Sequence, residues 1–366
     1  MTMATIIDGA AMTSKAAAHA HIAAVLAFPA YYGKNLDALA DCLSELPRDT
    51  VIEIQNTDAA RQALGDYADL IFDTFAELAD ETGFRVIFDE KGAKTMKLTY
   101  LGTAAAEGFP AVFCNCSYCQ NARKSGGKNI RTRSQALIGD DLLIDLPADT
   151  YHHFLMNGIE GDKISHLLIT HSHSDHFYPT ELAMRQGAFA HDMRADTLAV
   201  HCGEGAYNKL MAGGVPPHVS ASRIAPFETQ TVGKYTVTAL PARHFPGDGA
   251  LFYIIRGDKT LLYAHDTGYF TDDVLDYLKN NPEHIDLVSY DCTNVDLPIG
   301  DDGGHMGIPN IERLDKKLCG MGLLDDTTIR VINHFSHNAN PDHDLLEARV
   351  KDHGWLVSYD GRVVEF

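Results

Sequence analysis

Hydrophobic and polar positions divide the chain into two stretches of different rhythm. In the first, residues 4–7 read as a strand and 15–26 as a helix that Phe28-Pro29 ends. Asn35 can cap a second helix, in which Leu36, Leu39, Ala40 and Leu43 share one face. Residues 51–54 read as a strand, 69–81 as a helix and 84–88 as a last strand, which predicts a compact α/β unit. Gly92-Ala93-Lys94 reads as a linker, so the expected domains are 1–94 and 95–366.

After the linker the rhythm changes to short strands separated by Gly, Pro and Asp. Residues 142–144, 166–170, 197–201, 236–240, 251–255, 260–264, 287–290 and 328–332 all read as strands, and a helix is expected from Thr180. Several of these strands end in a residue with chemistry to offer: His171, His244, Asp266, Asp291 and His334. Such recurrence predicts a sheet whose strand ends converge on one site. No repeat of fixed period and no low-complexity tract interrupts it.

Composition narrows the function. With 366 residues the chain is long enough for two cores, and 30 Lys+Arg against 50 Asp+Glu give a formal charge of -20. That charge argues against nonspecific binding to nucleic acid or to anionic membrane, both polyanions. No apolar run is long enough to span a bilayer and no signal-peptide pattern opens the chain, so a cytoplasmic location is expected. Of 19 histidines, only His19 and His21 precede residue 150, so whatever uses histidine lies in the second stretch.

The segment His171-Ser172-His173-Ser174-Asp175-His176 supplies four ligand-type side chains within six positions, directly after an apolar strand. His171 and His173 can face one cation, and Asp175 and His176, reached after the chain turns, a second. Imidazole and carboxylate suit zinc, manganese or iron. Two such ions about 3.5–4 Å apart could share a hydroxide nucleophile and stabilise a leaving oxygen. A solvated His-rich turn is the bland alternative, and the density of ligands disfavours it.

This segment resembles the HxHxDH signature of the metallo-β-lactamase superfamily. The resemblance implies one metal held by His171, His173 and His244, a second by Asp175, His176 and His334, and Asp266 bridging the two. Asp145 matches the strand-end aspartate that supports such a site, although Leu146-Pro147 follows where the family often has glycine. His265 and Asp291 are further candidates for orienting a ligand from behind.

Cys114, Cys116 and Cys119 crowd three thiols into six positions, among 7 cysteines in all, which suits one metal better than a disulfide framework. A fourth ligand would close a structural zinc site. A CxCxxC insertion followed far downstream by His334-Phe335-Ser336-His337 looks like the carbon-phosphorus lyase accessory phosphodiesterase branch of the superfamily, and resembles its pyrroloquinoline-quinone biosynthesis accessory branch. By that resemblance His337 is the fourth zinc ligand. Asp175 and His305, the latter in Gly303-Gly304-His305-Met306-Gly307, are then the expected catalytic residues, with His305 a general acid toward the leaving group.

Residues 28–43, from Phe28-Pro29 through Tyr31-Tyr32-Gly33 to Leu43, resemble the barstar family of intracellular ribonuclease inhibitors. The resemblance implies that Tyr31, Asp37 and Asp41 form an acidic face for a barnase-like ribonuclease, with Ala40 standing where the family often has a bulky aromatic. Such acids imitate phosphates and steer a cationic partner. The expected fold class is therefore α/β: a barstar-like domain in three layers around a small parallel sheet, then a metallo-β-lactamase αββα sandwich. The expected function is hydrolysis of a small phosphodiester, cyclic ones included. Thioester, lactone or other ester hydrolysis is the alternative on the same fold, and nuclease binding or immunity the alternative of another class.

Overall fold

A computed structural model describes residues 4–88 and 95–366; the linker expected at Gly92-Ala93-Lys94 lies outside them. The chain forms two compact units, Met1–Thr95 and Met96–Phe366.

In the first unit β1 (Thr5–Asp8), α1 (Lys15–Val25), α2 (Leu36–Ser44), β2 (Val51–Gln55), α3 (Thr57–Leu64), α4 (Asp66–Thr82) and β3 (Arg85–Phe88) follow in order. The strands pair in parallel as β1-β2-β3. Side chains of Ile7, Ile52 and Ile54 meet Ile22, Leu39, Leu43, Ile71 and Phe75 in one core, because alternate strand positions and one stripe of each helix are apolar. Asn35 caps α2 as expected, its side chain accepting from Ala38 N. The helix α3 is absent from the sequence reading: its eight residues, Thr-Asp-Ala-Ala-Arg-Gln-Ala-Leu, carry too few apolar side chains to announce a buried stripe.

The second unit is a sandwich. Its first half contains β4 (Lys97–Gly102), α5 (Ser117–Ser125), β5 (Gln135–Ile138), β6 (Leu142–Ile144), α6 (Thr150–Asn157), β7 (His166–Ile169), β8 (Leu198–Cys202), α7 (Glu204–Gly213) and β9 (Val219–Arg223). The second half contains β10 (Thr229–Val232), β11 (Tyr235–Pro241), β12 (Leu251–Arg256), β13 (Thr260–Ala264), α8 (Asp272–Asn280), β14 (Leu287–Asp291), α9 (Ile308–Gly320), β15 (Ile329–Asn333), α10 (His343–Val350), β16 (Leu356–Val357) and β17 (Arg362–Glu365). One seven-stranded sheet runs β10-β11-β12-β13-β14-β15-β16 and the other β17-β4-β5-β6-β7-β8-β9, the last strand returning to pair with the first.

Leu98, Ile144 and Leu168 from one sheet pack against Val237, Tyr253 and Leu261 from the other. The outer face of one sheet buries Leu262 and Ile254 under Val274, Ile311 and Leu346 of the helices. Leu167 and Val200 of the other lie in one core with Ala206 and Leu210 of α7. Central strands are covered on both faces, which is why β14 reads as an unbroken buried run. The helix expected from Thr180 is instead a 3-10 segment, Pro179–Arg185; Pro179 withholds an N–H at its start and only Leu182 of it is buried, so little packing holds a longer helix there. Among the described residues no helix is long and apolar enough to cross a membrane.

Candidate metal centre

Parallel strands bring chemistry to one edge. Three parallel strands, β6, β13 and β15, are followed at once or after one residue by Asp145, Asp266 and His334, whose backbones turn into the left-handed region with φ 64, 50 and 62. Non-glycine residues rarely adopt that conformation, and it cluster at functional sites. Here it aims each side chain across the strand ends. Gly268 permits the neighbouring loop to close, since a side chain there would collide with the carbonyl of Gly303.

The residues expected from distant parts of the chain come together. Ligand atoms of His171, His173 and His244 lie within 4.8 Å of one another, as do those of Asp175, His176 and His334, and of His171, His176 and Asp266. His171 Nε2 is 3.0 Å from His173 Nδ1, His244 Nε2 is 3.3 Å from His173 Nδ1, and His334 Nε2 is 3.3 Å from His176 Nε2. Donors about 2.0–2.1 Å from a tetrahedral ion lie about 3.3 Å apart, so this spacing is that of coordinating groups.

The charge balance fits cations. Asp266 Oδ2 is buried and 3.0 Å from both His176 Nε2 and His334 Nε2. Burial alone would lower the His176 imidazole's affinity for protons, but Asp266 and Asp145 overcome it and hold it well above its ordinary value. Burial would likewise raise Asp175, and His176 outweighs it and pulls the carboxyl far down. The site is thus built to favour positive charge. Burial followed by the neighbouring His176 keeps His171 neutral, the state a ligand needs.

Supporting groups fix these side chains. Asp145 Oδ2 accepts from His176 Nδ1 at 2.6 Å, while Asp145 Oδ1 accepts from Thr170 N at 2.8 Å. Asp291 Oδ2 accepts from His305 Nδ1 at 2.9 Å and lies 3.8 Å from His334 Nδ1. Thr293 Oγ1 is 2.8 Å from that same His334 nitrogen. His265 is buried deeper, hydrogen-bonded to Ser289 Oγ at 2.7 Å and beside Asn333. His305 reaches the centre: its ligand atom is within 4.8 Å of those of His244 and Asp266, and its ring stacks on His334 with centroids 5.6 Å apart.

The sequence reading missed three supports. Asp248 accepts from both the N–H and the hydroxyl of Ser172, in the middle of the His-rich turn. Lys209 Nζ donates to the carbonyls of Ser172 and Phe177. Neither Asp248 nor Lys209 carries a local motif, and only their place beside the turn reveals them.

The third is Glu107, at the second cluster. Cys114, Cys116, Cys119 and His337 bring their ligand atoms within 4.8 Å of one another, His337 Nδ1 standing 3.9 Å from Cys116 Sγ and 3.5 Å from Cys119 Sγ. Hydrogen bonding from Cys119 N and then from His337 brings the Cys116 thiol down to about 6, while burial takes Cys119 up to about 11. Glu107 accepts from Ser336 Oγ at 2.6 Å and from His337 N at 3.2 Å, and its carboxylate is 4.0 Å from His337 Nε2. A carboxylate behind a ligand imidazole is a recurrent way to fix its tautomer.

In the first unit Tyr31 is 81% exposed, and Asp37 and Asp41 stand one turn apart on the exposed side of α2, opposite buried Leu39 and Leu43. His19, buried between the hydroxyls of Tyr32 (2.5 Å) and Tyr67 (2.9 Å), anchors the loop that carries Tyr31.

Fold and site together define a barstar domain joined to a domain of the metallo-β-lactamase fold, and the chain belongs to the barstar family. The model of the barstar family (barnase inhibitor) matches residues 2–114, and that of the beta-lactamase superfamily domain residues 145–319. The "Putative ribonuclease inhibitor YrdF" of Bacillus subtilis is 36% identical over 89 residues, covering 23% of this chain and 96% of YrdF. Among solved structures, a new diphosphatase from the PhnP family superposes with a TM-score of 0.58 at 20% identity, covering 75% of this chain and 98% of that one. Zn(2+)-bound PqqB from Methylobacterium extorquens gives 0.58 at 20% identity over 73% and 99%. The metallo-beta-lactamase fold protein YhfI from Bacillus subtilis gives 0.56 at 21% over 75% and 100%.

Proposed function

We propose that the second unit is a metal-dependent hydrolase that cleaves a small phosphodiester, cyclic ones included. His171, His173 and His244 would hold one divalent ion and Asp175, His176 and His334 another, with Asp266 between them; Cys114, Cys116, Cys119 and His337 would hold a structural zinc. The nitrogen and oxygen donors of the pair suit zinc, manganese or iron. When bound, the paired ions supply a water that ionises near neutral pH and positive charge for the phosphoryl oxygens.

The chain's own groups position and protonate. Asp291 takes the Nδ1 proton of His305 in a hydrogen bond, which leaves Nε2 to carry a second. Burial opposes that second proton, but Asp291 more than restores it and raises His305 to about 9. Held by Asp291 at the edge of the centre, His305 is suited to give a proton to the departing alkoxide. Asp145 and Thr293 hold His176 and His334 in fixed orientation.

The observation that carries this reading is the convergence of ligand atoms from distant parts of the chain, with Asp266 Oδ2 buried 3.0 Å from the nitrogens of both His176 and His334. The diphosphatase among the similar structures supports phosphoryl chemistry, and PqqB supports zinc. Elemental analysis should find about three metals per chain. Turnover of a bis-aryl phosphate should fall at least a hundredfold in His173→Ala; metal-free protein, or turnover indifferent to that substitution, would sink the proposal.

A second reading concerns the first unit. The likeness to YrdF and the exposed Tyr31, Asp37 and Asp41 support binding of a barnase-like ribonuclease. The other role open to this unit is as a docking or stabilising module for the hydrolase.

A further inference from the structure

The side chains of the candidate centre are unequally exposed. His171, His176, Asp266 and His334 are buried, whereas His173, Asp175, His244 and His305 are half-buried, so a ligand reaches the centre past these four. Phe245 stands there, 65% exposed, its ring packed against those of His173 (centroids 5.4 Å, 77°) and His244 (5.7 Å, 77°). The loop that carries it is pinned rather than loose. Asp248, three residues on, grips the N–H and hydroxyl of Ser172. Any side chain in place of Gly205 would collide with Asp248, so α7 is shaped to receive the loop. A large apolar ring has thus been fixed in water at the mouth of a polar centre, against two of the imidazoles expected to hold metal.

We infer that Phe245 is a stacking platform for a planar ring on one ester arm of the substrate. The inference rests on the phosphodiesterase reading and deepens it: the preferred substrate is a phosphodiester with a nucleobase or another aromatic group on the arm that is not expelled. Stacking on an exposed aromatic is tolerant of ring identity, because every such ring offers a π-face. The ligand's ring completes the burial that the protein leaves undone.

Three diesters with one leaving group, 4-nitrophenolate, separate the possibilities: thymidine 5′-(4-nitrophenyl) phosphate, phenyl 4-nitrophenyl phosphate and methyl 4-nitrophenyl phosphate. Rates are taken on full-length, metal-loaded protein and normalised to metal content. The kcat/KM ratio of a ring-bearing diester over the methyl diester should fall about tenfold in Phe245→Ala and stay within threefold of wild type in Phe245→Trp. A fall for both ring-bearing diesters assigns the platform to any aromatic arm, and a fall for the thymidine diester alone assigns it to a nucleobase. An unchanged ratio in Phe245→Ala, or an equal fall in Phe245→Trp, overturns the inference. A binding readout stands apart from turnover: thymidine 5′-monophosphate should quench the added fluorescence of the Phe245→Trp variant, and inorganic phosphate should not. If wild-type protein cleaves none of the diesters, the phosphodiesterase reading fails, and absence of this quenching then also overturns the platform.

Discussion

Asp145 and His176, both wholly buried, meet across the ends of adjacent parallel strands with Oδ2 2.6 Å from Nδ1. The pairing fixes which nitrogen of His176 points into the centre. It also supplies part of the negative potential that the candidate metals would neutralise.

Replacing Asp145 by Asn keeps the shape and removes the charge. Metal affinity at the centre should weaken by about 10- to 100-fold, as is usual when a partner behind a ligand imidazole is lost. Competition with a chromophoric chelator measures it; affinity equal to wild type would show that Asp145 only packs.

The thiol cluster and the centre share a short connection. His337 follows His334 by three residues, and between them Phe335 exchanges backbone hydrogen bonds with Thr103 and Ala105, the strand-end loop that continues to Glu107. Cys116→Ala should remove one zinc per chain and lower the melting temperature of the second unit by several degrees. Occupancy of the other two metals should fall with it. Full occupancy despite loss of the structural zinc would separate the two clusters.

A buried histidine makes stability depend on pH. His153 bonds Gln135 Oε1 and Thr132 Oγ1, and burial lowers it to about 4 from an ordinary 6.5. Below about pH 6.5 the unfolded chain takes up a proton that the folded one refuses, so the contribution is complete above that pH and is lost progressively toward pH 4. Between pH 7 and pH 5 wild type should lose about 2 kcal/mol more unfolding free energy than His153→Gln. Parallel stability curves for the two proteins would contradict this account.

For the first unit, binding to a barnase-like ribonuclease should depend on Asp41 and not on the metal ligands. Truncating a charged interface contact costs about 2–5 kcal/mol. Asp41→Ala should therefore weaken binding by about 30-fold or more in a calorimetric titration, and His173→Ala should leave it unchanged. Wild-type protein that fails to bind such a nuclease would leave the docking role for this domain.

Much of this was legible in the residues themselves, and the failures have physical causes. The strand periods around Leu143, Leu168, Leu262 and Val288 were plain because strands covered on both faces must be apolar throughout. The edge strands β9, β10 and β17 were not, since Val219–Arg223, Thr229–Val232 and Arg362–Glu365 are half-polar and bury few side chains. The short segment after Tyr178 looked helical by composition and became 3-10 for want of packing.

What the sequence determined alone is local: four ligand-type side chains within six positions at His171–His176, three thiols within six at Cys114–Cys119, and an acidic helix face at Asp37 and Asp41, all fixed by spacing along one segment of backbone. Tertiary structure decided what spacing cannot. Asp248 is 76 residues from the Ser172 it grips, and Glu107 is 230 from the His337 it holds. Such pairs follow from strand order and register in the two sheets. The same register joins His244, Asp266 and His334 to the turn and leaves Phe245 at its mouth.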